Sequence, residues 1–310
     1  MRRWLYSAVV GVGLLLSLSA CGGIGRVTPY DLGVQQQDQG KFDAAIEHYQ
    51  EALANNPDHV RARFNLAVLY HDQRNYQAAK QEYRRLLQRY PNHARSLVNL
   101  ADIAEAEGDP AQAYMLLLRA VDAAPDQAYP YSYLGRYLQQ HGKHAEAQAA
   151  YERALALNDT ALTRYRLATL WLHQGKTAEA VMHLRKAVEL DPHDSKSLYE
   201  LAVLAMAANQ DTDAERYLQR LTHLTPHHAE VFVRLGKLYM QRGQYSTAVL
   251  HLWEARDLEP HHADVAQLLL EAYEQLLHQQ REVVNRQRLQ PPTPAANSTP
   301  DGADTPRADR

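Results

Sequence analysis

Apolar and polar positions along this chain follow a helical period, and the helices themselves recur. Between Ala229 and His262, the residues Phe232, Leu235, Gly236 and Tyr239 fall at three- and four-residue steps and share one face of a predicted helix. Gly243 then supplies a left-handed turn at little steric cost. A second helix carrying Ala248, Leu252 and Ala255 follows. Pro260 stops it, because proline lacks an N–H and disfavours helix in the residue before it.

The two-helix pattern repeats through most of the sequence. Pro57, Pro91 and Pro125 stand 34 residues apart, as do Pro192, Pro226 and Pro260. The 67-residue gap between the groups is one unit of 33 and one of 34, with Asp159 at the missing proline's place. Ala45, Ala79, Ala113, Ala147, Ala180, Ala214 and Ala248 form a second ladder, and Leu32, Leu66, Leu100, Leu134, Leu167, Leu201, Leu235 and Leu269 a third. All three share the same single slip of one residue. Gly40, Gly108, Gly142 and Gly175 occupy the place of Gly243, with Asn209 as a substitute. Gly33, Ala67, Ala101, Gly135, Ala168, Ala202 and Gly236 follow the ladder leucines and let paired helices approach. One such unit cannot bury its apolar face alone, whereas stacked units can.

The period, the small-residue pair and the terminal proline together resemble the tetratricopeptide repeat (TPR), over about residues 26–262. The resemblance implies an all-α fold, a right-handed superhelical solenoid of about seven helix-turn-helix repeats with a C-terminal capping helix. One departure is the absence of tryptophan at the fourth place, where Pro29, Arg63, Leu97, Tyr131, Arg164, Leu198 and Phe232 stand. Thr28 before Pro29 is the expected N-cap of the first helix.

Both ends differ from the repeats. Met1-Arg2-Arg3 precedes an apolar run from Trp4 to Ala20, and Leu18-Ser19-Ala20-Cys21 resembles the bacterial lipobox, in which the cysteine thiol receives lipid. Residues 1–20 are expected to be a lipoprotein signal peptide, and 21–27 a short lipidated tether. The resemblance implies anchoring through Cys21, and Gly22 after it favours the outer membrane, with the chain facing the periplasm. Seven repeats should span 28–262. No breaker falls within 263–289, so this segment is expected to be a long capping helix, with Val265, Leu268, Leu269, Tyr273 and Leu276 covering the last repeat. The tail 290–310, rich in proline among polar residues, is expected to be disordered.

Composition narrows the chemistry. Of 310 residues, 45% are apolar, and the formal charge is −3 from 33 basic and 36 acidic residues. The signs are interspersed, so nucleic acid is not an expected partner. Cys21 is the one cysteine, which excludes an internal disulfide and a Cys-rich zinc site. Many of the sixteen histidines recur between repeats, among them His59, His93, His193, His227, His228, His261 and His262. Adjacent repeats sit roughly 10 Å apart, about one helix diameter, too far to share an ion. These rings are read as polar loop residues, and no metal or other cofactor is expected. No phosphate loop, nucleophile elbow or His-Glu-x-x-His pattern occurs, and the chain is read as non-catalytic.

Binding is therefore the expected activity. The family resemblance implies that the first helix of each repeat lines a concave surface. On that face stand Tyr30, Phe64, Asn65, Arg95, Asn99, Tyr133, Arg136, Tyr165, Arg166 and Tyr199, which suit a peptide guest: aromatics give rigid contact area, asparagines hold backbone, arginines pair with carboxylates. The clamp with which related domains hold chaperone tails is not preserved. Asn65 and Arg95 match it, but Tyr30 and Val34 occupy other places and Asn99 replaces a basic residue. The chain is similar to repeat lipoproteins that serve as pilotins for type IV pili or as accessories of tight-adherence pili. A scaffold for a pilus or secretion machine is the leading reading. Adaptors of a cell-wall hydrolase or of outer-membrane protein assembly, and an accessory of polysaccharide export, stay open. The partners would be other envelope proteins or peptides, and the oligomeric state is left open.

Overall fold

The structure is a computed structural model and describes residues 27–289. The expected signal peptide, the lipid site Cys21 and the tail 290–310 lie outside the described residues. Among the described residues every regular element is an α-helix, fifteen in all. They fall into two compact units, one ending at Ala124 and the other beginning at Pro125.

The first unit holds three helix pairs: α1 (Pro29–Asp38) with α2 (Phe42–Asn55), α3 (Val60–Asp72) with α4 (Tyr76–Arg89), and α5 (Ala94–Ala106) with α6 (Pro110–Ala123). Thr28 caps α1 reciprocally with Asp31, and Pro29 takes the first turn, where a missing N–H costs nothing. The pairs close tightly because one partner is small. A Cβ added to Gly33 would lie 2.6 Å from two ring carbons of the fully buried Tyr49. Gly40 and Gly108 turn with positive φ, but the matching turn of the second pair is made by Arg74 at φ 60°.

The histidines between these repeats have a structural use. His59 Nδ1 accepts the Ala62 N–H at 3.1 Å, and His93 Nδ1 accepts that of Ser96 at 3.3 Å. Each imidazole thus satisfies one of the donors left open at a helix start. Burial, with Arg95 nearby, holds the His93 pKa below the ordinary value, which keeps the ring neutral and able to accept.

The second unit holds four pairs: α7 (Ala128–Gln140) with α8 (His144–Leu157), α9 (Ala161–His173) with α10 (Thr177–Leu190), α11 (Ser195–Ala207) with α12 (Asp211–Leu224), and α13 (Ala229–Gln241) with α14 (Tyr245–Leu258). Gly135 repeats the close approach of Gly33, here to Tyr151 at 2.7 Å. After α8 the chain leaves the helix at Asn158, extended at φ −156°, although no proline follows. Asp159 does the work instead: both its carboxylate oxygens accept from Arg164, at 2.7 and 2.9 Å. The same guanidinium donates to His183 Nδ1 at 3.1 Å. In the first unit, Arg63 at the equivalent fourth place bonds the Pro57 carbonyl and Glu82. Polar side chains at these two fourth places tie the loop down where the family commonly has a tryptophan.

The chain's last described helix, α15 (Val265–Leu289), covers the final repeat with Val265, Leu269 and Ala272, which are buried among Phe232, Val233, Val249, Leu252 and Ala255. Leu268 packs at the edge of this cluster, and Leu276 is half-buried. Tyr273, expected in the covering set, is exposed. At about 100° per residue it has turned off the covering face, and its hydroxyl instead accepts from Trp253 Nε1 at 2.6 Å.

Candidate binding faces

In the first unit, the first helices present aromatics that are half-covered by the histidine caps of the following repeat. The Tyr30 ring lies 4.7 Å from that of His59, and Phe64 lies 5.2 Å from His93. Both aromatics stay half-buried, and Tyr30 opens on a shallow depression with Asp31, Val34, Gln35 and Asp38. The asparagines face inward. Asn65 Nδ2 donates to the Tyr49 hydroxyl at 3.2 Å, which itself donates to Gln37 at 2.7 Å. Asn99 Nδ2 donates to the Tyr83 hydroxyl at 2.8 Å. Each amide satisfies a buried phenol across neighbouring repeats, leaving less capacity for a guest. Arg95 is exposed.

In the second unit, Tyr165 and Tyr199 at the equivalent place, and Tyr133 one place further on, carry cations. The Arg166 guanidinium carbon stands 4.6 Å from the centre of the Tyr133 ring, and that of Arg136 stands 5.6 Å away. Lys196 lies 5.8 Å from the Tyr165 ring. Arg234 lies 5.0 Å from the Tyr199 ring and donates to its hydroxyl at 2.9 Å. Tyr133, Arg136, Tyr165 and Tyr199 are half-buried, so their outer edges remain open.

Arg166 is different: it is only 8% exposed and donates to Ser132 Oγ at 2.9 Å. Burial lowers its pKa, although Tyr133 and Tyr151 favour its charge. The same burial pushes the Tyr151 hydroxyl up to about 12, against the pull of Arg166 and Arg136. Arg166 is therefore an internal strut and not a side chain extended toward a guest. Lys196 and Arg234 escaped the sequence reading. Arg234 could have been found, since it occupies the place of Asn65, Asn99, Tyr133 and Arg166 two repeats further on.

The arrangement offers flat apolar area with flanking positive charge, which suits polar or acidic peptide segments. Among the described residues no group of three or more His, Cys, Asp or Glu side chains is placed to hold a metal ion, and no helix is long and apolar enough to cross a membrane.

Stacked helix pairs with such faces define a class, the helical repeat scaffolds that bind other proteins. Models of the tetratricopeptide repeat match residues 30–91 and 134–195, 92–160, and 171–238, a continuous stretch of more than half the sequence. The chain belongs to the tetratricopeptide repeat family, whose members are generally protein-interaction scaffolds and typically not catalysts.

Several solved structures share the fold. The APC/C hetero-tetramer Cut9-Hcn1 is 18% identical with a TM-score of 0.61, over 79% of this chain and 49% of that one, so this chain spans about half its length. PilW, described as a widely conserved type IV pilus biogenesis factor, is 20% identical with a TM-score of 0.58, over 68% of this chain and 98% of its own. PilF of Pseudomonas aeruginosa is 19% identical with a TM-score of 0.60, over 68% and 97%. No sequence among the curated proteins compared matches this chain.

Proposed function

We propose that this chain is an exported lipoprotein, anchored to the bacterial outer membrane through Cys21, that helps assemble an envelope machine of the pilus or secretion class. Its first-helix faces hold a segment of a partner protein, and no chemistry is performed on that segment. The observation that carries the reading is that, within each unit, half-buried aromatics with open edges stand beside a histidine or a cation. PilW and PilF, which share the fold over nearly their whole lengths, lend support to the pilus assignment.

Crosslinking in intact cells, followed by identification of captured proteins, tests the partner. Replacing Phe64, Tyr165 and Tyr199 together with alanine should abolish capture of envelope proteins while circular dichroism stays helical. Unchanged capture rejects the faces as the binding surface. Fractionation of a Cys21→Ala variant tests the anchor, and a variant still found in membranes rejects lipidation.

A further inference from the structure

The second half of α15 has no packing partner among the described residues. Beyond Leu276, every described side chain as far as Arg288 is exposed. A free helical extension of roughly a dozen residues is marginal in water without something to pack on. Its exposed residues are also patterned. Leu270, Tyr273, Leu277 and Val284 are all exposed and recur at three-, four- and seven-residue steps. At 3.6 residues per turn they form one stripe, roughly 100° around the helix from the covering face of Val265, Leu269 and Ala272. Trp253 and Leu250 of α14 are exposed as well, and Trp253, bonded to Tyr273, brings α14 up to the stripe. The opposite side is polar, with Glu282 paired to Arg286.

We propose that this stripe docks a second copy of the chain, the two α15 helices running antiparallel about a two-fold axis. The charges choose both the occupant and the direction. Leu270 and Leu277 take the first seam position of successive heptads, and Tyr273 and Gln280 the fourth. In an antiparallel pair, Leu277 then packs on Gln280 of the other copy, and Tyr273 on Val284. That register sets Glu274 of each copy beside Arg281 of the other. The two-fold axis makes the pair twice, as a self-complementary interface requires. Leu276 and Val283 meet along the other flank and widen the apolar contact. A parallel pair would instead set Gln280 against Gln280 and leave Glu274 opposite an apolar flank. The surface thus complements itself in the antiparallel arrangement. The assignment is independent of the partner held on the first-helix faces.

The test uses the full chain in detergent, with the protein mass separated from detergent by light scattering and sedimentation. The wild type is expected to be a dimer. Glu274→Arg and Arg281→Glu each set like charges together twice and should weaken dimerisation at least about tenfold. The double reversal restores opposite charges and should recover the wild-type constant to within about threefold. Leu277→Glu should give monomers that keep the helical content of the repeats, losing at most that of the second half of α15. A wild type monomeric up to about 100 μM, weaker than typical stable homodimers, overturns the proposal. So does a dimer indifferent to Leu277→Glu, or a double reversal as weak as the single ones. A chain that dimerises only once residues 290–310 are removed would make the tail the occupant, and that also overturns it.

Discussion

The two units solve one packing problem with different chemistry. In both, a buried tyrosine on a second helix lies against a first-helix glycine: Tyr49 on Gly33, and Tyr151 on Gly135. In both, a glutamine twelve residues earlier accepts the hydroxyl proton, at 2.7 and 2.9 Å. The next repeat then sends in a polar side chain beside that phenol. In the first unit it is a neutral amide, Asn65, and at the equivalent place Asn99. In the second it is the guanidinium of Arg166, which also stacks on Tyr133 and bonds Ser132. The difference extends to the faces, where histidine rings flank Tyr30 and Phe64 while cations flank Tyr133, Tyr165 and Tyr199, the last with His228 on it as well. A place that looks like a guest-binding position in one repeat can thus be a strut between repeats. The charge of that strut follows what surrounds it.

The largest effects should come from the charged strut. Arg166→Ala removes a buried side chain, leaves Ser132 with the Thr163 hydroxyl as its remaining donor and opens a cavity, a cost of about 2–4 kcal/mol in urea unfolding followed by circular dichroism. Arg166→Met keeps the volume without the desolvated charge and should stay within about 1 kcal/mol of the wild type. Asn65→Ala and Asn99→Ala should cost only about 1 kcal/mol each. Equal losses at Arg166 and Asn65 would erase the distinction between the units.

The shared part of the design should respond alike in both units. Gly33→Ala and Gly135→Ala each push a methyl group into a tyrosine ring, at 2.6 and 2.7 Å. Each should lower stability by about 1–3 kcal/mol, since the rings are closely packed and cannot retreat. A neutral result at one site alone would mean that its helix pair is looser than the geometry indicates.

The backbone plan of this chain was legible because its punctuation is chemical. Proline and glycine act through dihedral angles, so the period, the turns at Gly40 and Gly243 and the helix ends could be read directly. The exit at Asn158 shows the limit: the period placed the stop, but the bonding of Asp159 to Arg164 needs three dimensions. The site was less legible for the same reason. Tyr30, Phe64 and Asn99 were placed on the right helices, but how each divides its surface between neighbour and solvent depends on the next repeat. The loop histidines gave no sign of capping, because imidazole is not among the favoured N-cap groups. Tyr273 was misplaced because a long helix drifts relative to a fixed repeat.

Acid should weaken both units, and the reason differs between them. Burial holds the pKa values of His93, His183 and His251 below the ordinary 6.5. Above pH 6.5 these rings are neutral whether folded or not, and their contribution is complete. As the pH falls below that, the unfolded chain takes up protons first, so stability drops until the folded rings also protonate. In the first unit a charged His93 can no longer accept the Ser96 N–H. In the second, His183 must give up its bond from Arg164. Hydrogen exchange at pH 7.5 and 5.5, corrected for intrinsic rates, should show lost protection in α5 and in α9 and α10. His93→Asn, a neutral cap, should remove the loss in α5 alone.

The smallest effect concerns two turns made without glycine, one in each unit. Arg74 has φ 60° and Asn209 has φ 55°, where the other repeats have glycine. For a residue with a long side chain the left-handed region costs about 1 kcal/mol or more, whereas asparagine offsets part of this through local hydrogen bonding. Arg74→Gly should therefore stabilise the first unit by about 0.5–1 kcal/mol, after the extra freedom of glycine in the unfolded chain is subtracted. Asn209→Gly should gain at most a few tenths of that scale, or nothing. Urea midpoints of the two variants separate the cases. A larger gain at Asn209 than at Arg74 would mean that the Arg74 side chain contributes contacts worth more than its backbone strain.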